Sequence, residues 1–283
     1  MPPAGIWIDG LAQSCIYVTM AFGMVLVFSI LGILNWTHGQ FFMLGSIIVY
    51  YAVTAWGIPF PIGILISGLL VAALGVLIKK GILDRVKGDL YVGVVTLALI
   101  FALEGAASML FGMEDRGLAI VLPGVLDLGA FSISYQKVAV ILFTLVVMTI
   151  MYVVLNYTKT GLAIRAAAQQ PQAASLYGVS VQKLSLEVMA IGCALAAIAG
   201  CIVAPLYPIN PFIGRTPMIM ALLAIVIGGL GSLTGAIVGG LILGFLNSVI
   251  AYYVSYLSEV VLFALVILIL LVRPQGLFGE PLK

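Results

Sequence analysis

Apolar residues fall in long unbroken runs rather than in alternating or one-faced patterns. Runs at 6–32, 40–57, 60–78, 90–111, 133–156, 184–206, 217–231, 235–256 and 258–272 occupy most of the 283 residues. A hydrocarbon layer about 30 Å thick takes about 20 apolar residues per spanning helix. The pattern therefore predicts an all-α, polytopic transmembrane helical bundle with eight to nine hydrophobic segments. Strands of a membrane barrel would alternate apolar and polar positions, so the continuous runs exclude that class. Two places break the rhythm. Segment 217–231 is short for a full crossing and ends in GGLGSLTG, and LNWTHGQ (34–40) interrupts two apolar runs near the N-terminus. Both predict broken or half-spanning helices, which are tolerated at membrane depth only where protein or a water-lined cavity surrounds them.

Composition narrows the class further. Apolar residues make up 64% of the chain and charged residues 8%, with a mean hydropathy of +1.28, whereas a soluble domain carries about a quarter charged residues. Residues 1–283 read as one transmembrane domain with no room for a soluble one. MPPAGIW lacks a basic n-region and the first apolar run is too long for a cleavable signal. Cys15, Cys193 and Cys201 lie in apolar segments and read as packing residues. No GxxxxGK[ST], GxSxG or HExxH occurs, so no nucleotide, nucleophile or zinc chemistry of those kinds is expected. The net charge of +2 offers no basis for nucleic-acid binding.

The basic residues set a topology. KKGILDRVKGD (79–89) carries Lys79, Lys80, Arg85 and Lys87, and the 159–183 stretch carries Lys159, Arg165 and Lys183. The positive-inside rule places both in the cytoplasm. Two spans separate them, so the stretch between, with Glu114, Asp115 and Asp127 against Arg116, falls outside. An even number of crossings after residue 183 puts Arg273 inside, and counting full spans back from residue 79 puts the N-terminus outside. The polar stretch 159–183, KTGLAIRAAAQQPQAASLYGVSVQK, is rich in alanine and divided by Pro171. It predicts two short surface helices suited to docking a soluble partner.

Polar groups at membrane depth are expensive and therefore point to function. Glu104 follows YVGVVTLALIFAL; a charge there costs about 2.5–3.5 kcal/mol on insertion scales, so it faces protein or water, or is protonated. It is read either as lining a pathway or as a structural hydrogen bond. Asn35, His38 and Gln40 surround Thr37 in NWTHGQ, as caps of a broken helix or as solute contacts. One histidine without cysteine or carboxylate neighbours is no metal site. In PINPFIGRTP (208–217), Asn210 and Arg215 precede the short segment, which fits a rigid outer loop or a gate. The glycines of 228–240 permit close helix approach.

Taken in order, these motifs resemble the permease subunits of ABC importers for branched-chain amino acids, closest to the smaller of the two paired permeases. NWTHGQ, GLAIRAAA (161–168), AASLYG (173–178), NPFIG (210–214), the glycine run 228–240 and RPQGLFG (273–279) carry the resemblance from about residue 10 to 279. Membership implies a bacterial inner-membrane protein, multi-pass in the lipid bilayer, that pairs with a second permease subunit to form the pore. It further implies two ABC ATPase subunits beneath, which bind the ATP and Mg²⁺, and a periplasmic solute-binding protein above. No cofactor and no covalent chemistry belong to this chain. The 159–183 stretch matches the coupling element, with Gly161, Arg165, Ala166, Ala168 and Gly178 as the residues carried over. Asn35, His38, Gln40, Glu104 and Asn210 are assigned to the translocation pathway. Gln40 stands where the family commonly has glutamate, Trp36 where it has phenylalanine, and a lysine often found after the N-P-aromatic-I-G element is absent. Those departures leave urea, a short amide or an organic acid as alternative cargoes to an amino acid. An ATP-independent channel or carrier is the rival reading.

Overall fold

The computed structural model describes residues 4–119, 121–127 and 132–279. In chain order these form α1 (Ala4–Leu31), α2 (His38–Thr54), α3 (Phe60–Gly81), α4 (Asp89–Phe111), strands β1 (Val125–Asp127) and β2 (Ser132–Ser134), α5 (Tyr135–Tyr157), α6 (Lys159–Gln169), α7 (Pro171–Leu176), α8 (Val181–Val203), α9 (Arg215–Gly228), α10 (Leu233–Val254) and α11 (Ser258–Val272). The strands pair antiparallel, with Leu126 opposite Ile133.

Among the described residues, six stretches are long and apolar enough to cross a membrane: Gly5–Leu31, Phe60–Arg85, Asp89–Phe111, Tyr135–Tyr157, Val181–Val203 and Leu233–Val272. That is fewer than the eight to nine segments read from the sequence, and the reasons are local. At α2 the helix starts late, because Gly32 turns the chain at φ +70° and the Asn35 side chain accepts the Thr37 N–H at 3.1 Å. Only 17 residues remain to Thr54. Prolines 208 and 211 keep the chain irregular before α9, which has 14 residues; Pro217 is tolerated because it falls in the first turn. The stretch 233–272 is two helices joined by a single 3-10 turn, Ser255–Leu257.

The chain divides into two compact units. One consists of Leu26–Leu118 and Val146–Arg215. Its centre is α2, α3 and α8, packed on one another. Close approach is bought by small residues: a side chain at Gly45 would strike the Ala197 backbone, and one at Gly200 the Phe42 carbonyl. Interhelical hydrogen bonds add to this packing. Ser46 Oγ donates to the Gly200 carbonyl at 2.9 Å and Cys201 Sγ to the Gly45 carbonyl at 3.3 Å. Phe41, Phe42, Met43 and Met189 fill the space between and are fully buried.

The other unit consists of Met1–Val25, Ala119–Leu145 and Thr216–Lys283. Here α10 lies against α1, with Gly240 over Val18 and Gly244 over Ser14. Ser14 Oγ donates to the Leu241 carbonyl at 3.0 Å, and Asn247 Nδ2 bridges Gln13 and Tyr17 at 3.0 and 2.8 Å. Helix α9 runs antiparallel to the start of α10, since Gly228 meets Gly235 and Ala224 meets Gly239. After α11 the chain returns to that same turn. Leu277 N donates to the Ile227 carbonyl at 2.7 Å and Phe278 N to the Gly228 carbonyl at 2.9 Å. Helix α11 therefore runs back along α10, and the 40-residue apolar stretch is a hairpin rather than one rod.

Candidate functional site

Polar side chains collect where α2 and α9 begin. A Cβ on Gly214 would collide with the Gly39 backbone, so the two helix starts touch. Helix α4 passes beside them, with Thr37 Oγ1 donating to the Thr96 carbonyl at 3.0 Å. Thr96 lies seven residues inside the first residue of α4, Asp89, or about 10 Å along the helix at 1.5 Å per residue. Helix α2 thus begins deep beside α4. It ends near the far end of α4, where Tyr51 Oη reaches the Leu110 carbonyl at 3.5 Å.

At this junction Glu104 accepts two bonds from one guanidinium, Nε of Arg215 to Oε1 at 2.8 Å and Nη2 to Oε2 at 2.6 Å. Gln40 Nε2 donates to the same Oε1 at 3.2 Å. The charge found inside an apolar helix is thereby satisfied through a bidentate pair, the strongest ion-pair geometry available. The guanidinium also lies over the Phe212 ring, 4.6 Å from its centroid, a cation–π contact.

The five residues assigned to a pathway do not all meet. Gln40 and Glu104 are bonded to each other. His38 is fully buried, edge-on to Phe41 at 6.5 Å between ring centroids. Asn35 is buried one turn earlier, with its amide nitrogen 3.9 Å from Met189 sulfur. Asn210 stands apart: Nδ2 donates to Asp115 at 2.8 Å and Oδ1 accepts the Phe212 N–H at 2.9 Å. Beside it Arg116 and Ile209 exchange backbone hydrogen bonds at 3.0 and 2.8 Å. Asn210 thus ties the proline-rich segment to the loop after α4. The sequence reading passed over Arg215 as a partner of Glu104. The available signal was charge parity: one cation and one carboxylate, each alone beside apolar residues.

The second location is the α6–α7 hairpin. Thr158 caps α6 by accepting the Gly161 N–H at 3.1 Å, and Ser180 caps α8 through the Lys183 N–H at 3.5 Å. Gly161 is buried where the chain leaves α5, and a side chain there would strike the Val154 and Leu155 carbonyls. Between α6 and α7 lies an open groove of about 550 Å³ lined by Leu162, Ala163, Ala166, Ala173, Ala174 and Tyr177 among others. Small residues make the trough, while Leu162 and Tyr177 in its lining stand exposed. Of the five coupling residues, Ala166 lines the groove. Arg165 points back to α5, where Nη1 donates to Asn156 at 3.3 Å. Ala168 is exposed, and Gly178 holds φ +86° in the turn before α8.

A multi-pass helical bundle with interrupted helices, a buried charged pair at their junction and an apolar groove on an extramembrane hairpin defines a transport permease. The chain belongs to the family described as the permease component of branched-chain amino acid transport systems, whose family model matches residues 6–270. It is 31% identical to the high-affinity branched-chain amino acid transport system permease protein LivH of Salmonella typhimurium, over 96% of this chain and 94% of that one. It is 30% identical to BraD of Pseudomonas aeruginosa, a permease protein of the same description, over 97% and 95%. Among solved structures, PsaBC from Streptococcus pneumoniae in complex with Fab aligns over 94% of this chain and 90% of that one, with a TM-score of 0.51 and 16% identity. That likeness concerns the fold.

Proposed function

We propose that this chain forms half of the translocation pathway of an ABC importer in the bacterial inner membrane and carries branched-chain amino acids. In this reading the α6–α7 groove receives an element of the ATPase subunit, and ATP-driven closure of the ATPase pair moves the membrane helices through that contact. A second permease completes the pore and a solute-binding protein delivers cargo from outside. Gln40 and Glu104 belong to the pathway, Asn35 and His38 are buried within the chain, Asn210 braces the outer rim, and the chain itself performs no covalent chemistry. The observation that carries the coupling role is the apolar trough between α6 and α7, exposed and lined by alanines, on a hairpin outside the membrane-spanning helices. Exposed leucine and tyrosine beside small residues form a knob-and-hollow surface of the kind a partner fills.

Two substitutions test it. Ala166→Trp fills the trough, and the complex is expected to lose its ATPase on purification while the permease still inserts. Arg165→Glu is expected to cut ATP-driven uptake at least tenfold in proteoliposomes through loss of the tie to Asn156 and reversal of surface charge. Normal uptake by both variants would remove the coupling assignment. Uptake by the chain alone without ATP would favour a channel or carrier.

A further inference from the structure

Three properties of the Glu104 cluster exceed what a structural tie needs. The pair is lopsided: the Glu104 side chain is 5% exposed and that of Arg215 53%. The carboxylate is enclosed, whereas the guanidinium lies at the surface of the chain. Gln40 is 1% exposed, and its Oε1 is buried without a hydrogen-bond partner. The reverse amide orientation would set that oxygen against the carboxylate, so the chemistry fixes the assignment. A buried acceptor with no donor is disfavoured unless another group supplies one. Lastly, all three groups sit where two helix starts meet and the regular backbone is interrupted, the kind of place where membrane transporters hold solutes.

We propose that Glu104, Gln40 and Arg215 form a receptor for the zwitterionic head of an α-amino acid, which inserts into the ion pair by exchange. The ammonium group takes the place of Arg215 on Glu104 and donates to the orphan Oε1 of Gln40. The solute carboxylate pairs bidentately with the displaced guanidinium. Empty, the site closes on itself; loaded, every charge keeps a partner. An amine without a carboxylate leaves Arg215 unpaired, and an acid without an amine leaves Glu104 unpaired, so the site rejects both. This proposal rests on the amino-acid cargo argued above.

The test uses the whole importer in proteoliposomes, with leucine as the probe and ATP hydrolysis measured alongside. Glu104→Gln and Arg215→Gln are each expected to lower leucine uptake tenfold or more while the complex stays assembled. The double variant restores neutrality and a hydrogen bond between amides, yet is expected to remain as low as the singles. Recovery to within twofold of the unaltered protein would make the pair a strut and overturn the receptor. Should those variants fail to assemble, Phe212→Cys supplies a second reading: it lies beside the Arg215 guanidinium but outside the receptor, and the three native cysteines are buried. Leucine is expected to slow its modification by an ethylammonium methanethiosulfonate fivefold or more, and 4-methylpentanoate to leave it unchanged. Equal rates with and without leucine would also overturn the receptor. If the unaltered importer moves no amino acid, the cargo reading itself fails, a result visible before any variant is made.

Discussion

At Glu104 and Arg215 one interaction has two unequal ends. Removing the arginine strands a buried carboxylate, whereas removing the carboxylate leaves a cation that is half exposed on the surface of the chain. Loss of one partner of a fully buried pair costs about 3–5 kcal/mol, and exposure on the arginine side lowers that figure. Arg215→Met is expected to destabilise the chain by about 2 kcal/mol and Glu104→Gln by less than about 1 kcal/mol. Cys15, Cys193 and Cys201 are buried and free, so a thiol-reactive dye reports unfolding directly; equal shifts in melting temperature for the two variants would contradict the asymmetry. Single residues were readable in sequence only where type alone decided the matter. Glu104 stood out because a carboxylate among apolar residues must be satisfied. Its partner lies 111 positions away, and no one-dimensional pattern joins the two.

Elements were far more legible. The nine apolar runs correspond to α1 through α5 and α8 through α11, because length and hydropathy suffice to place a membrane helix. Pro171 marked the division between α6 and α7, since proline begins the second helix at its first position. The sequence did not reveal the β1–β2 hairpin, whose strands of three residues each are too short to leave a period. The narrow break between α10 and α11, by contrast, was legible, since the runs 235–256 and 258–272 are parted only at Leu257. The caps give a prediction at this scale. Thr158→Ala and Ser180→Ala each remove a side-chain acceptor at a helix start, worth about 1 kcal/mol apiece, and their effects should add because the caps serve different helices. Gly161→Leu is expected to exceed either by driving a side chain into the α5 carbonyls, with overpacking of this kind costing about 1–3 kcal/mol. Thermal melts of the detergent-solubilised chain rank the three. A Gly161→Leu protein as stable as the cap variants would show that the α5–α6 turn yields easily.

For the whole molecule, sidedness is the property most open to measurement. Basic loops at 79–89 and 159–183 and the acidic loop after α4 predict opposite faces. Gly178 and Glu114 are both exposed. A cysteine at Gly178 is expected to react with a membrane-impermeant maleimide only in inside-out vesicles, and one at Glu114 only in right-side-out ones. Labelling of both from the same side would overturn the topology. Each compact unit is assembled from separate stretches of chain, a feature that hydropathy cannot register because every stretch is equally apolar.

The turn between α9 and α10 is closed by residues that follow α11. Gly229 packs against Gly276 and Gly279, and the carbonyls of Ile227 and Gly228 wait for the amides of Leu277 and Phe278. During synthesis that turn leaves the ribosome two helices ahead of its own closing segment. Until RPQGLFG arrives, the bend is held only by its neighbours along the chain. Birth order thus makes this corner the last part of the unit to set, and nascent chains halted within α11 are the ones a membrane protease should find open there.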